Sequence, residues 1–154
     1  MNKSKPVKWT CNRFEELTAG WLHRILKLRQ DVFIIEQNSI YSDIDEHDYL
    51  SLHLIAYKEP NELIGYCRLV PAGLLYKEVS IGRVVISKSF RKKGMGRQLM
   101  FQAHKFCCSE YKTQSIRLNA QQYLKNFYQS LGYHLVSEPY DEDGVIHIQM
   151  LKKS

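Results

Sequence analysis

Arg91-Lys92-Lys93-Gly94-Met95-Gly96 is the segment whose residue types and spacing speak most directly of chemistry. A diphosphate requires several backbone N–H donors at close range within a positive field. Gly94 and Gly96 carry no Cβ, so the chain can approach an anion closely there. A helix opening at this point presents unpaired N–H groups and the positive end of its dipole. Arg91, Lys92, Lys93 and Arg97 surround it with charge. Taken alone, the segment fits a plain turn in a basic loop equally well. Two other phosphate loops are excluded. A Walker A loop needs Gly-Lys-Ser/Thr after the second glycine, where Arg97-Gln98 stands. A dinucleotide fingerprint needs a third glycine that is absent.

Other side chains could serve an acceptor. Glu36 is the candidate general base. It lies two helical turns after Arg29, so the two share a face if the helix continues that far. An Arg29–Glu36 pair would hold the carboxylate ionised and reduce its basicity. Arg83, inside an apolar strand, needs a partner when buried; it either lines an acceptor pocket or binds Glu36. Asp43, Asp45 and Asp48 would draw in a cationic amine, or else form a solvated loop. The glycine and distal glutamate of a calcium loop are missing around Asp43-Ile44-Asp45 and His47, so no metal is expected. His53 and His147 fall on expected strands, either as acceptor contacts or as hydrogen-bonded core or edge histidines.

The elements that must position these groups follow from periodicity. Leu22, Ile25, Leu26, Arg29, Val32 and Phe33 recur at three and four, giving a helical face that Thr18 can cap. Residues 52–57, 63–70 and 79–86 read as consecutive strands with short connections, an antiparallel meander. Met95, Leu99, Ala103 and Phe106 share a helical face after the glycines. Residues 116–120 form a strand, and Tyr123 to Leu131 a short helix ended by Gly132. Residues 133–136 and 145–148 close the sheet, turning at Asp143-Gly144. The strand–helix–strand section implies a parallel crossover.

The 154 residues are 44% hydrophobic and 25% charged, ordinary for one globular domain spanning 1–154. Cys11, Cys67, Cys107 and Cys108 lack metal-site spacing and read as reduced thiols, hence a cytoplasmic protein. Met1 to Lys8 is polar without a signal core, and no segment approaches the ~18 apolar residues of a membrane span. The net charge of +6 is segregated, with basic residues around Arg91 and acidic ones around Asp45. That segregation argues against nucleic acid and for two differently charged ligands.

Ile81-Gly82-Arg83-Val84-Val85-Ile86-Ser87 before the loop, and Asn126-Phe127-Tyr128-Gln129-Ser130-Leu131-Gly132-Tyr133 after it, complete a pattern. The chain resembles the GNAT superfamily of N-acetyltransferases. Leu28 to Asn38, Tyr41 to Asp45, Ala120-Gln121, and Tyr140 to Gly144 with His147 are similar to its ElaA-type branch. The resemblance spans roughly residues 8 to 151. It implies an α/β fold with a mixed, mostly antiparallel sheet of about six to seven strands, flanked by helices and splayed into a cleft for CoA. It further implies that acetyl-CoA donates an acetyl group directly to a small-molecule or peptide amine, in a monomer or homodimer without metal. The backbone of Val84, Val85 and Ile86 would hold pantetheine, and Arg91 to Arg97 the pyrophosphate. Tyr128 occupies the family's acid position, with a packing tyrosine as the competing assignment. Many relatives place Asn where Gln121 stands, so Gln121 or Asn126 would make that cofactor contact.

An amine of pKa ~10.4 and a thiol of ~8.5 explain why such an enzyme wants a base and an acid at neutral pH. The acidic loop favours a polyamine-like or peptide acceptor. Two rivals remain: a CoA-binding module with little catalysis, and an acyl-homoserine-lactone-synthase-like acyltransferase. The second rests on the similar spacing of Arg29, Val32, Phe33 and Glu36.

Overall fold

Thr18 caps the first helix as its hydroxyl predicts, accepting from the Trp21 N–H at 3.1 Å, and helix α1 runs Ala19–Arg29. The computed structural model describes residues 4–153; residues 1–3 and 154 of the expected domain lie outside the described residues. Beyond Arg29 the chain tightens no further into α-helix. Gln30–Glu36 winds as a π-helix, with i→i+5 bonds from Gln37 N to Val32 O and from Ser39 N to Ile34 O. A π turn takes more residues than an α turn. Glu36 is therefore rotated off the face it was expected to share with Arg29.

Eight strands form one sheet: β1 (Lys8–Arg13), β2 (Leu52–Lys58), β3 (Glu62–Val70), β4 (Val79–Ile86), β5 (Ile116–Gln121), β6 (His134–Leu135), β7 (Tyr140–Glu142) and β8 (Val145–Lys152). Their order is β1-β2-β3-β4-β5-β8-β6, with β7 also on β8. All pairings are antiparallel except β4–β5, the parallel crossover that helix α2 (Met95–Tyr111) makes. Helix α3 (Lys125–Ser130) follows β5, and Gly132 at φ 95° ends it. The eight strands exceed the expected six to seven, and the two not among the six segments read from the sequence are β1, an edge strand of mixed polarity, and the polar β7. The latter forms because Asp143 and Gly144 adopt φ 53° and 84°, the left-handed pair that suits a tight hairpin.

The core lies between the sheet and α2. Leu99, Met100, Ala103 and Cys107 pack against Leu54, Cys67, Leu69 and Leu118. A smaller cluster of Ile25, Phe33, Ile55, Tyr66 and Val85 seats α1 on the opposite face. The four cysteines are free thiols. Among the described residues, no helix is long and apolar enough to cross a membrane.

One irregularity in the β3–β4 register shapes the sheet. Arg68 pairs with Gly82 while Tyr66 pairs with Val85, so two β4 residues, Arg83 and Val84, oppose the single Cys67. Arg83 takes φ +50° to make this bulge. A bulge bends its strand and increases local twist. Accordingly β4 pairs with β5 only at Val79–Ile116 and Ser80–Arg117, and then the strands part.

Candidate active site

The parting of β4 from β5 opens a cleft of about 650 Å³. Val84, Val85 and Ile86 line its β4 wall, and Leu118 to Gln121 its β5 wall. Because β5 does not pair with β4 here, the β4 edge keeps backbone groups free for an extended ligand. Val84, Val85 and Ile86, the segment expected to hold pantetheine, form this open edge of the cleft.

The glycine loop sits at the end of this edge. Gly94 adopts φ +75° at the start of α2, a conformation costly for a side chain with Cβ. The N–H groups of Gly94, Met95, Gly96 and Arg97 meet no acceptor among the described residues, leaving a cluster of donors at a helix N-terminus. The side chains divide. Met95 turns into the core, so only its backbone is available. Lys92 is exposed, Lys93 bonds the Ser89 carbonyl at 3.3 Å, and Arg97 reaches Ser130 Oγ at 2.9 Å.

Arg91 differs from expectation. Its guanidinium forks onto Glu36, with both N···O distances 2.9 Å, and its Nε donates to the Ile86 carbonyl at 3.1 Å. Glu36 thus pairs with neither Arg29 nor Arg83. The hydrogen bond from Arg91 holds its carboxyl below the usual range, which weakens it as a base.

The acidic loop is also corrected. Its aspartates do not form a free negative field, because three arginines neutralise them. Arg29, fully buried, donates from Nε to Asp43 at 2.8 Å and from a terminal nitrogen to Asp48 at 2.9 Å. Arg68 binds Asp45 at 2.6 Å and Asp48 at 3.0 Å. Arg83 lies 2.7 Å from Asp43 and 3.4 Å from Asp45. Burial pushes the Asp48 carboxyl up, yet the hydrogen bond and charge of Arg29, with Arg68, outweigh it and hold the group low. Arg29 is therefore not an acceptor contact; it ties α1 to the loop. Asp45 and Arg83 do reach the cleft. Arg68, overlooked in the sequence, does so too. Its position inside the apolar run of β3 is the one signal that could have marked it.

His53 is buried away from the cleft. Its Nε2 donates to the Asp48 carbonyl at 2.9 Å, and its Nδ1 accepts from the Tyr66 hydroxyl at 2.7 Å. It supports the network and has no route to an acceptor.

Tyr128 is 5% exposed and lines the cleft from α3, between the rings of Phe127 and Tyr133. Its hydroxyl has no hydrogen-bond partner among the described residues. Burial raises its pKa, so it stays protonated across the neutral range. Gln121 also lines the cleft, its Nε2 donating to Gln37 Oε1 at 3.0 Å across the gap. Asn126 is exposed and lies off the cleft lining.

His147 completes the far wall. Nδ1 is 2.8 Å from the Val145 carbonyl, and Nε2 is 3.4 Å from Glu142 Oε2. Glu142 accepts from Asn119 at 2.7 Å, and the Tyr140 hydroxyl bonds Asn119 in turn. Among the described residues, no group of His, Cys, Asp and Glu is placed to hold a metal ion.

A mixed sheet splayed behind a β4 bulge, with a glycine-opened helix beside it, defines the N-acyltransferase fold. The chain belongs to the GNAT family: the acetyltransferase (GNAT) domain model matches residues 27–154. Protein ElaA of Escherichia coli is 36% identical over 96% of this chain and 97% of its own length. The crystal structure of ElaA superposes with a TM-score of 0.89, covering 96% of this chain and all of that one. An acyl-CoA N-acyltransferase from Pseudomonas aeruginosa, 34% identical, superposes at 0.90, covering 96% of this chain and 99% of that one.

Proposed function

We propose that this protein transfers an acetyl group from acetyl-CoA directly to the nitrogen of an amine. The observation that carries the reading is the gap beside Val84–Ile86, lined by a buried tyrosine whose hydroxyl has no hydrogen-bond partner among the described residues. The thioester supplies the activated acyl group. The β4 edge holds the pantetheine arm, and the amides of Gly94 to Arg97 hold the pyrophosphate.

Tyr128 serves as the acid. A phenol kept protonated by burial can give its proton to the departing thiolate. Gln121, on the cleft wall, is the cofactor contact in preference to Asn126. Glu36 fits less well as a base, since Arg91 holds it ionised; its nearer role is to order Arg91.

The acceptor is an amine, as in a structurally similar spermidine N-acetyltransferase from Vibrio cholerae. That neighbour is only 17% identical and shares the fold alone. With the aspartates neutralised, the unbalanced acidic groups in the cleft are Glu142 and Asp143. They favour a cationic small-molecule or peptide amine held against the β7–β8 turn.

The test is release of free CoA thiol from acetyl-CoA across a panel of small amines and peptide N-termini, beside calorimetry of acetyl-CoA binding. Binding with thiol release identifies the enzyme. Binding without release on any amine makes the chain a CoA-binding module. No binding removes both.

A further inference from the structure

The proton leaving the amine needs a destination, and Glu36 is a poor one. The geometry points to His147 as the proton acceptor, with Glu142 as the residue that positions and charges it. This inference rests on the amine-transferase reading above.

The tautomer is set by the backbone. A carbonyl can only accept, so Nδ1, 2.8 Å from the Val145 carbonyl, carries the hydrogen. In the neutral ring Nε2 then holds a lone pair. Nε2 lies 3.4 Å from Glu142 Oε2, so in the neutral ring an acceptor stands beside an acceptor. The contact is unfavourable while the ring is neutral and becomes an ion pair when Nε2 takes a proton. The carboxylate is itself held, because Asn119 donates to the same oxygen at 2.7 Å. Tyr140 fixes the ring plane, stacked with centroids 6.4 Å apart and planes 29° apart. His147, Glu142 and Asn119 all line the cleft that Tyr128 lines. The charged and titratable groups facing the imidazole are Glu142 and Tyr140 from β7. From β5 it is met by the uncharged Gln121, directly opposite in register.

The neutral amine nitrogen attacks the thioester carbonyl, forming a C–N bond and leaving that nitrogen cationic and acidic. Its proton passes to Nε2 of His147. The C–S bond breaks, and the thiolate takes the Tyr128 proton. The imidazolium then gives its proton to water, and the tyrosinate regains one from water, so the products are amide and free thiol. An imidazole suffices here because the attacking nitrogen, once bonded to the carbonyl carbon, is far more acidic than a free ammonium.

The experiment compares the whole protein with His147→Asn and Glu142→Gln on an amine that the panel finds active. Asparagine keeps an N–H donor for the Val145 carbonyl and has no basic nitrogen, so the hairpin is preserved. His147→Asn is expected to lose about a hundredfold in kcat with acetyl-CoA affinity unchanged by calorimetry. Glu142→Gln should slow kcat several-fold without changing the KM for acetyl-CoA. His147→Ala should regain activity with added imidazole. The proposal is overturned if wild type transfers acetyl while His147→Asn matches its kcat, or if imidazole restores nothing to a folded, CoA-binding His147→Ala. A wild-type protein inactive on every amine overturns the enzyme reading, and this inference with it.

Discussion

Gln121 and Gln37 hydrogen-bond across the cleft at 3.0 Å, joining the end of β5 to the turn that follows the π-helix. The bond spans the place where β4 and β5 have separated, so it braces two walls that no longer share a ladder. Removing either side chain should loosen the cleft. Gln121→Ala is expected to raise the KM for acetyl-CoA several-fold with a smaller change in kcat. Gln37→Ala should do less, because it removes the brace and keeps the cleft-lining amide. Steady-state kinetics on both variants checks the order; a larger effect at Gln37 would remove Gln121 as the cofactor contact.

Arg91 is shared between Glu36 and the loop that should hold an anion. Arg91→Ala should weaken CoA binding about tenfold, the scale of one lost charge-assisted hydrogen bond. Glu36→Gln should tighten CoA binding, since the guanidinium is released toward the pyrophosphate. Its kcat should fall less than that of His147→Asn. Calorimetry at two salt concentrations measures the first two effects. A loss of CoA affinity in Glu36→Gln would show that the ion pair prepares the site.

Tyr128→Phe keeps the ring packed between Phe127 and Tyr133 and removes only the hydroxyl. The expected result is a kcat lowered by about a hundredfold with acetyl-CoA affinity nearly intact. Lost affinity or a lowered unfolding midpoint would make it a packing residue.

The buried network is a stability feature. Asp48 accepts from both Arg29 and Arg68, so Asp48→Ala leaves two guanidinium groups short of a counter-charge. Breaking a buried pair from one side costs about 3–5 kcal/mol, and urea unfolding should show a loss of that order. A loss within the range of ordinary surface changes would mean that water reaches the cluster.

Acid should destabilise the protein through His104. Its Nε2 lies 2.8 Å from the Tyr133 hydroxyl, and burial, aided by Lys152, lowers its pKa from 6.5 to about 4. The unfolded chain takes up a proton near 6.5 that the native state refuses until about 4. Stability is thus full above that window and falls as pH drops through it, by at most about 1.4 kcal/mol per pH unit. His53, lowered by burial, acts in the same direction. Asp45 and Asp48, held below 3.8, add their losses only beneath it. His104→Gln should flatten the urea midpoint across the window; an unchanged slope would assign the sensitivity elsewhere.

Most of the element order was legible along the chain, because local periodicity and turn chemistry report on neighbours in sequence. Thr18, Gly94, Gly132 and Asp143-Gly144 punctuated the elements where the structure has them. Two strands were not legible. β1 alternates only through Trp9 and Cys11 and β7 is the polar run Tyr140–Glu142, too little pattern to stand out, so both owe their extended form to pairing with β2 and β8.

The donor side of the site was written locally in the same way. A helix N-terminus, its glycines and its basic residues are contiguous, so residues 91–97 announced an anion site. The acceptor side was not, because its groups come together only through tertiary contacts. Nothing in sequence spacing showed that Asp48 would be shared by Arg29 and Arg68, or that π-winding would carry Glu36 to Arg91. Nor could it show the 3.4 Å approach of Glu142 to His147, which hairpin register makes. The sequence by itself determined the family and the strand–loop–helix proposed to receive the donor. The tertiary structure decided which charges remain free for the acceptor, because a buried charge is spent on whichever opposite charge the fold brings within hydrogen-bond reach.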